Sequence, residues 1–381
     1  MGQNEHTGAA SGGLGEIRTA AAGFFRVSKI AGKWWLITPE GQSFVSIGLN
    51  HLDETDLKHP ANTEIWQRKY GSRARWIDGV VDDLQEWGFN TIGWTRQWVT
   101  GRHDHDVDWL TPLNLGHGSA WSPDELREAG MPYVQQLRVA AIEGWNGNPV
   151  FPDVFSTEFD ERCAWLARQF CAPAADDPNL IGYFLTDIPA WLPHAAGGNF
   201  VGLSNTRSLR EVADKYYETI TRHIRARDPN HLILGDRYNG NMGIPSEVLD
   251  AAAPHVDLLS VQYFAGNDPA SLIAMRDDLA RWSAHVDLPV IVADIGNCTP
   301  TPLNPDRTSG LASQADRAAH YLDAFSALVD EPWFVGWHWC SYLENQARGW
   351  GLKNDRDEAY EELTNPIAAC NRSVYSGRLR R

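Results

Sequence analysis

Two aspartates each close a run of hydrophobic residues. Asp187 ends LIGYFLTD, residues 180–187, and Asp294 follows VIVA within residues 289–297. Short apolar runs of this kind are typical of buried strands, and a carboxylate at the end of such a strand is typical of a catalytic face. A pair of facing carboxyl groups suits glycosidic cleavage, in which one protonates the leaving oxygen and the other acts as nucleophile or base. Each acid alone has the alternative of capping a loop or pairing with an arginine.

Further polar and aromatic residues collect where other apolar runs end. We predict that they share one rim with the two acids and bind sugar hydroxyls or stack on sugar rings. The predicted substrate-binding residues are Asn50, His51, Arg96, Asp236, Tyr263, Trp337, His338, Trp339, Glu344 and Trp350. Trp94 is a further candidate for stacking, and Tyr263 is also a candidate for positioning Asp294. His51 and His338 have the alternative interpretation of buried structural histidines.

The sequence indicates neither a metal site nor an organic cofactor. His103-Asp104-His105-Asp106 has ligand-type side chains but no distant third partner, so a solvated loop is the favoured interpretation. The five cysteines form no CxxC pair and are odd in number, which predicts buried thiols rather than a disulfide framework or a zinc site. Catalysis by two carboxylates needs no cofactor.

The elements that must position the acids alternate between strand and helix. Helices are predicted at 73–88, 157–171 and about 208–226. Eight strands are predicted at residues 43–50, 89–95, 132–140, 180–187, 231–238, 256–264, 289–297 and 334–343. This order predicts an α/β fold, a (β/α)8 TIM barrel, with its catalytic face at the carboxyl ends of the strands.

Outside the barrel pattern, the sequence predicts one extension and one tail. The residues before the first barrel strand bend at Ala31-Gly32 and predict an N-terminal β-hairpin, interpreted as a lid. Residues 1–20 are small and polar and predict a disordered or extended tail. The remainder, 21–381, is predicted to form a single catalytic domain.

Composition limits the classes of partner. Hydrophobic residues make up 43% of the 381-residue chain, enough for a large core, and the 17 Trp suit sugar faces as well as cores. A net charge of −16 argues against nucleic acid and anionic membranes as partners. The first residues do not resemble a leader peptide, which predicts a cytoplasmic protein. The expected partner is an oligosaccharide or glycoside substrate, and the sequence leaves a homo-oligomer open.

Several segments resemble a known group of enzymes. The two strand-end acids, Gln262-Tyr263 and the GWHW run at 336–339 are similar to those of retaining (β/α)8 glycoside hydrolases. More narrowly, WWLITPEGQSFVSIGLNHLD, EWGFNTIGWT, PDVFSTEFDERC and GWHWCSYLENQARGWGLKND resemble agarases and their β-galactosidase-like relatives, and the resemblance covers roughly residues 24–365. It implies a hydrolase that trims a neutral oligosaccharide from its end.

The chain departs from that group at both catalytic positions. The resemblance implies a Glu acid/base preceded by Asn on strand four and a Glu nucleophile on strand seven, whereas this chain has Thr186-Asp187 and Asp294. Losing a methylene from each side widens the gap by up to ~2.5 Å, from the ~5–5.5 Å of retaining enzymes towards the ~6.5–9.5 Å of inverting ones. We therefore expect Asp187 as general acid, Asp294 as general base or nucleophile, and inversion at the anomeric carbon.

Two alternatives use the same barrel. The first is a lyase or transglycosidase in which Tyr263 or His51 transfers the proton. The second is a sugar-binding barrel that has lost turnover through the replacement of both glutamates.

Overall fold

A small antiparallel sheet precedes the barrel. The computed structural model describes residues 17–54, 57, 61–95, 120–140, 152–189, 191, 207–345 and 350–378. Its first strands are β1 (Arg26–Ile30), β2 (Lys33–Ile37) and β3 (Ser43–Phe44), paired in that order. Ala31 and Gly32 have φ values of 50° and 80°, as a two-residue hairpin turn with positive φ at both positions requires. The predicted N-terminal hairpin is confirmed.

Eight parallel strands then close into a barrel, which confirms the predicted (β/α)8 fold. They are β4 (Ser46–Asn50), β5 (Thr91–Ile92), β6 (Tyr133–Gln136), β7 (Leu180–Asp187), β8 (Leu232–Asn239), β9 (Leu259–Gln262), β10 (Val290–Ile295) and β11 (Phe334–Cys340). The ring follows chain order and closes where β11 pairs with β4, with Cys340 opposite Asn50. Each strand lies within, or within one residue of, the segment predicted for it.

Helices fill the connections between the strands. They are α1 (Thr63–Lys69), α2 (Arg73–Glu86), α3 (Pro123–Ala129), α4 (Thr157–Leu166), α5 (Leu209–Arg225), α6 (Ser246–Ala252), α7 (Pro269–Val286), α8 (Gln314–Leu328) and α9 (Glu361–Arg378). Ser72 and Ser208 illustrate why several begin where they do, because each side chain accepts a hydrogen bond from the backbone three residues on. No helix among the described residues is long and apolar enough to cross a membrane.

The N-terminal sheet closes the amino end of the barrel. Phe25 and Phe44 pack edge to face at 5.3 Å and share a cluster with Ile181, Leu232 and other interior residues near the starts of the barrel strands. The backbone N–H of Trp34 donates to the carbonyl of Pro332, just before β11, at 2.6 Å. The hairpin therefore lies opposite the predicted catalytic face, and its interpretation as a lid over that face is wrong.

The segment before the sheet is tied to it where it is described. Thr19 donates its backbone N–H to Gly41 at 2.8 Å, and Ser43 donates to the carbonyl of Ile17 at 3.0 Å. Residues 17–19 therefore add to the edge of the N-terminal sheet.

Irregular pairing turns the two acids into the barrel. The register between β7 and β8 shifts between Phe184 and Asp187, and that between β9 and β10 shifts between Val292 and Asp294. Successive side chains of a regular strand point to opposite faces. Because Phe184 faces the barrel interior, regular alternation would point Asp187, three residues on, outward. The shift instead lets Thr186 face α5 and brings Asp187 to the mouth of the barrel.

Candidate active site

The two predicted catalytic acids meet on one arginine. Arg237, on β8, donates from Nη1 to Oδ1 of Asp187 at 2.8 Å, and its Nη2 lies 3.4 Å from Oδ2 of Asp294. The side chains of Arg237, Asp187 and Asp294 are 1%, 9% and 5% exposed. The structure thus brings both acids together at the carboxyl end of the barrel around a single buried positive charge.

Asp294 is held in its ionised form. Asn50 donates from Nδ2 to Oδ1 of Asp294 at 2.8 Å, and Nε2 of His51 lies 3.8 Å from Oδ2. Burial raises the pKa of Asp294, but the contact with His51, the charge of Arg237 and the hydrogen bond from Asn50 together hold it below its ordinary value. An ionised carboxylate can act as a nucleophile or as a base.

Asp187 accepts two donors on the same oxygen. Besides Arg237, Nε2 of Gln262 donates to Oδ1 of Asp187 at 2.5 Å. Both donors meet one oxygen of Asp187, which fixes the carboxyl group beside Arg237.

Backbone strain lies beside both acids. His51, next to Asn50, has a φ of 58°, and Ile188, directly after Asp187, has a φ of 40°. Few residues other than glycine adopt the left-handed region, and a β-branched side chain such as that of Ile188 rarely does so. Ile188 donates its N–H to the carbonyl of Arg237 at 2.9 Å, which holds the strained turn in place. Strain of this kind concentrates at functional sites.

The sequence alone assigns no role to Arg237, although Arg237 lies at the centre of the cluster. The clue in the sequence is its position directly after Asp236 in a strand, because only one of two neighbouring strand residues can face the interior of the barrel. The guanidinium lies 5.3 Å from the ring of Trp94 and 5.6 Å from that of Phe184. These contacts and its burial fix it between the two acids.

Asp236 faces away from the site, so its predicted role in substrate binding is not supported. Its carboxylate accepts hydrogen bonds from the hydroxyls of Tyr216 and Tyr217 on α5 and from Nε1 of Trp191. The residue is fully buried, and burial raises the pKa of Asp236 to about 6. It fastens α5 to the outside of β8.

The two tryptophans predicted to stack on sugar rings belong to the core. Trp337 and Trp339 are fully buried, and their rings lie 4.6 and 4.7 Å from that of Tyr321 on α8. Nε1 of Trp337 donates to the Tyr321 hydroxyl at 3.2 Å. Both side chains fill the layer between β11 and α8, where a ligand at the mouth of the barrel cannot reach them.

His338 points into the barrel but has the structural role that was the alternative for it. Its Nε2 lies 2.9 Å from Oγ of Ser46, and its ring packs edge-on to that of Phe184. Burial and the nearby charge of Arg237 lower the pKa of His338 to about 3. It is a neutral core histidine rather than a substrate contact.

Tyr263 and Glu344 also have partners away from the acids. The Tyr263 hydroxyl donates to Asp278 on α7 at 2.9 Å, so the side chain does not position Asp294 and gives no support to a lyase that uses it for proton transfer. Glu344 is 1% exposed and accepts hydrogen bonds from Thr301, Asn304 and Tyr360. It joins the loops that follow β10 and β11.

The remaining predicted contacts stay near the mouth or lie outside the described residues. Asn50 bonds Asp294 and also accepts the Trp94 backbone N–H at 3.0 Å, so it positions the acid. Trp94 and Trp350 are partly exposed, and Trp350 lies 5.3 Å from the ring of Phe264, which keeps both as stacking candidates. Arg96 and the segment His103–Asp106 lie outside the described residues.

The described residues also contain a group with the chemistry of a metal site. His51, Asp294 and Cys340 each offer one ligand atom, and these atoms all lie within 4.8 Å of one another. All three residues are buried. Sequence reasoning misses this group because its members are far apart in the chain and meet only when the barrel closes.

Comparison with known proteins finds beta-agarases among both the curated relatives and the solved structures. No protein-family model matches the sequence. Beta-agarase B of Vibrio sp. (strain JT0107) is 21% identical over 93% of this chain and 48% of its own length, and Beta-agarase A of the same organism is 25% identical over 94% and 46%. The solved structure of an exo-beta-agarase has a TM-score of 0.72 at 18% identity, covering 96% of this chain and 67% of that one. The structural likeness shows the fold, and the chain spans about half the length of these two curated relatives.

Proposed function

We propose that this protein is a glycoside hydrolase that cleaves a terminal glycosidic bond of an oligosaccharide with the carboxylate pair Asp187 and Asp294. The observation that carries the proposal is the convergence of both acids on Arg237 at the carboxyl end of the barrel. Active sites of this fold lie at that end. The similarity to two beta-agarases supports a neutral, agarose-derived oligosaccharide as the substrate class.

The two acids have different roles in the proposed reaction. Asp294 acts as base or nucleophile, since its contacts keep it ionised. Asp187 donates a proton to the leaving oxygen as the bond to the anomeric carbon breaks, which requires its protonated form.

Inversion is the stereochemical outcome that we propose, because both catalytic carboxylates are aspartates. Each is one methylene shorter than the glutamate of the retaining enzymes that the sequence resembles, which widens the gap between the carboxyl groups from ~5–5.5 Å towards the ~6.5–9.5 Å that leaves room for a water. Arg237 donates to one acid at 2.8 Å and lies 3.4 Å from the other, so its positive charge stands beside both. A proton NMR time course of the first product tests this. Initial release of the substrate's own anomer, or a sugar trapped covalently on Asp294, would return the protein to the retaining mechanism.

The proposal is tested with a panel of agarose-derived oligosaccharides and aryl glycosides. Asp187→Asn and Asp294→Asn should each lower turnover of the cognate substrate by at least ~100-fold, as expected for losing an acid or a base. Asp124→Asn, a change at an 86% exposed carboxylate on α3, is the matched control and should keep full activity. Near-native activity in either variant would remove that acid from the mechanism.

One observation favours a second candidate, a barrel that binds sugars without cleaving them. Arg237 stabilises both carboxylates as anions, whereas hydrolysis needs one of them protonated. Calorimetric binding of an oligosaccharide by the wild-type protein, with no product formed between acid and neutral pH, would favour this candidate over the hydrolase.

A further inference from the structure

We propose that His51, Asp294 and Cys340 form a binding site for zinc, and that zinc bound there inhibits the enzyme by occupying Asp294. The inhibitory half rests on the proposed function, in which Asp294 is catalytic. The binding half rests on the geometry of the three side chains alone.

The ligand atoms stand almost at zinc-binding distances. Nε2 of His51 lies 3.8 Å from Oδ2 of Asp294, and one ring nitrogen of His51, one carboxylate oxygen of Asp294 and Sγ of Cys340 all lie within 4.8 Å of one another. Tetrahedral zinc with Zn–N and Zn–O near 2.1 Å and Zn–S near 2.3 Å separates its ligand atoms by about 3.3–3.7 Å. The pair at 3.8 Å is already close to that range, and a pair at the 4.8 Å limit needs to close by roughly 1.1–1.5 Å.

Two of the ligands lie in adjacent barrel strands, and the third directly follows the next strand of the ring. His51 follows β4, Asp294 lies in β10, and Cys340 ends β11, the strand between them in the ring. Cys340 pairs with Asn50, and the Asn50 side chain holds Oδ1 of Asp294, so that Oδ2 is the oxygen nearer His51. Hydrogen bonds that orient a ligating carboxylate are a regular feature of metal sites. Ligands on barrel strands are also held more firmly than ligands on loops.

The ligand types select a thiophilic cation. One thiolate, one imidazole and one carboxylate suit zinc, whereas magnesium and calcium prefer oxygen ligands. Three protein ligands leave a fourth position for water or a sugar hydroxyl.

The neighbouring arginine further favours zinc over cations that do not bind a thiolate. Nη2 of Arg237 lies 3.4 Å from the same oxygen of Asp294 and repels any dication. Zinc offsets that repulsion by displacing the thiol proton of Cys340 to solvent, which adds a negative charge to the site. A cation that leaves the thiol protonated gains no such offset.

Direct binding of Co²⁺ and Zn²⁺ to the purified protein tests the site without any substrate. We expect Co²⁺ to give thiolate-to-metal charge-transfer absorption, and Zn²⁺ to abolish it by displacement. Cys340→Ser should lose the absorption and weaken Zn²⁺ binding by ~100-fold or more, beyond the ~10–100-fold cost of losing only an outer contact of a metal site. Cys298→Ser, a change at another buried cysteine, is the matched control and should bind as the wild type does.

Two results would overturn the inference: cobalt absorption that lacks the thiolate band, or equal zinc affinity in Cys340→Ser. Should that variant fold poorly, His51→Gln provides the second test, because it keeps the thiol and removes a ligand. Zinc binding without any glycoside cleavage would support the zinc site and contradict the proposed hydrolase function. Cleavage that zinc does not inhibit, in a protein that binds zinc through Cys340, would refute only the inhibitory half.

Discussion

Arg237 is the residue that joins the two acids of the site. Its guanidinium contacts both acids and is itself 1% exposed. Replacing it with methionine keeps much of the volume but removes the buried positive charge. Breaking a buried ion pair by removing one partner typically costs ~3–5 kcal/mol. We therefore expect Arg237→Met to lower the free energy of unfolding by that amount at neutral pH, as measured by urea denaturation.

The control for this change is Arg210→Met on α5. Arg210 pairs with Asp214 at 2.8 Å but is 43% exposed, and surface pairs contribute only ~0–1 kcal/mol. Equal losses in the two variants would mean that Arg237 is not the shared counter-ion of the acids.

Asp294 makes stability depend on pH in a defined direction. The pKa of Asp294 is lowered in the folded protein, whereas an unfolded aspartate titrates near pH ~3.9. The folded state therefore binds fewer protons in this range, and the stabilisation is fully present above pH ~4 and is lost as the pH falls through the lower folded value. We expect Asp294→Asn to lose less stability than the wild type between pH ~5 and ~3, measured by urea denaturation. Parallel losses in both proteins would contradict the assignment.

The elements around the site are held by close packing inside the barrel. A Cβ placed on Gly48, in β4, would lie 2.5 Å from Cδ2 of His338, in β11. Overpacking of a core costs ~1–3 kcal/mol. Gly48→Ala should therefore lower the midpoint of thermal unfolding, and the loss should shrink when His338→Ala is combined with it. Strictly additive effects in this double-mutant cycle would show that the two residues do not press on each other.

The sequence predicts where the strands lie, but it does not predict whether each strand-end residue points into or out of the barrel. The apolar runs locate β7 and β10, and both acids lie at their carboxyl ends. Neither register shift has a signal in the sequence, since each depends on how a strand pairs with its neighbour. The alternation of side chains along a strand does predict that Arg237 and Asp236 point to opposite faces, and that His338 points away from the face of its tryptophan neighbours. To decide which of the two faces is the inner one, the register of the whole ring must be known.

At the scale of the whole molecule, the N-terminal sheet and the proposed catalytic face occupy opposite ends of the barrel. Phe25 is 3% exposed against the interior of the barrel, and Phe24 beside it is only partly buried. Removing a buried phenylalanine costs ~3–5 kcal/mol. Phe25→Ala should therefore destabilise the protein by that amount while leaving KM for the cognate substrate unchanged. Phe24→Ala is the control and should cost less, and a raised KM in Phe25→Ala would show that the sheet influences the mouth.

The closure of the ring also sets when the site comes into existence during synthesis. β4 is the first barrel strand to leave the ribosome and β11 is the last, yet they are neighbours, and Asn50 lies opposite Cys340 across their seam. Domains form as their chains emerge, but a contact between first and last strands must wait for nearly the whole chain. A nascent chain that stops before β11 leaves β4 and β10 without the strand that joins them. Such truncated products would expose two unpaired strand edges and would therefore be prone to aggregate.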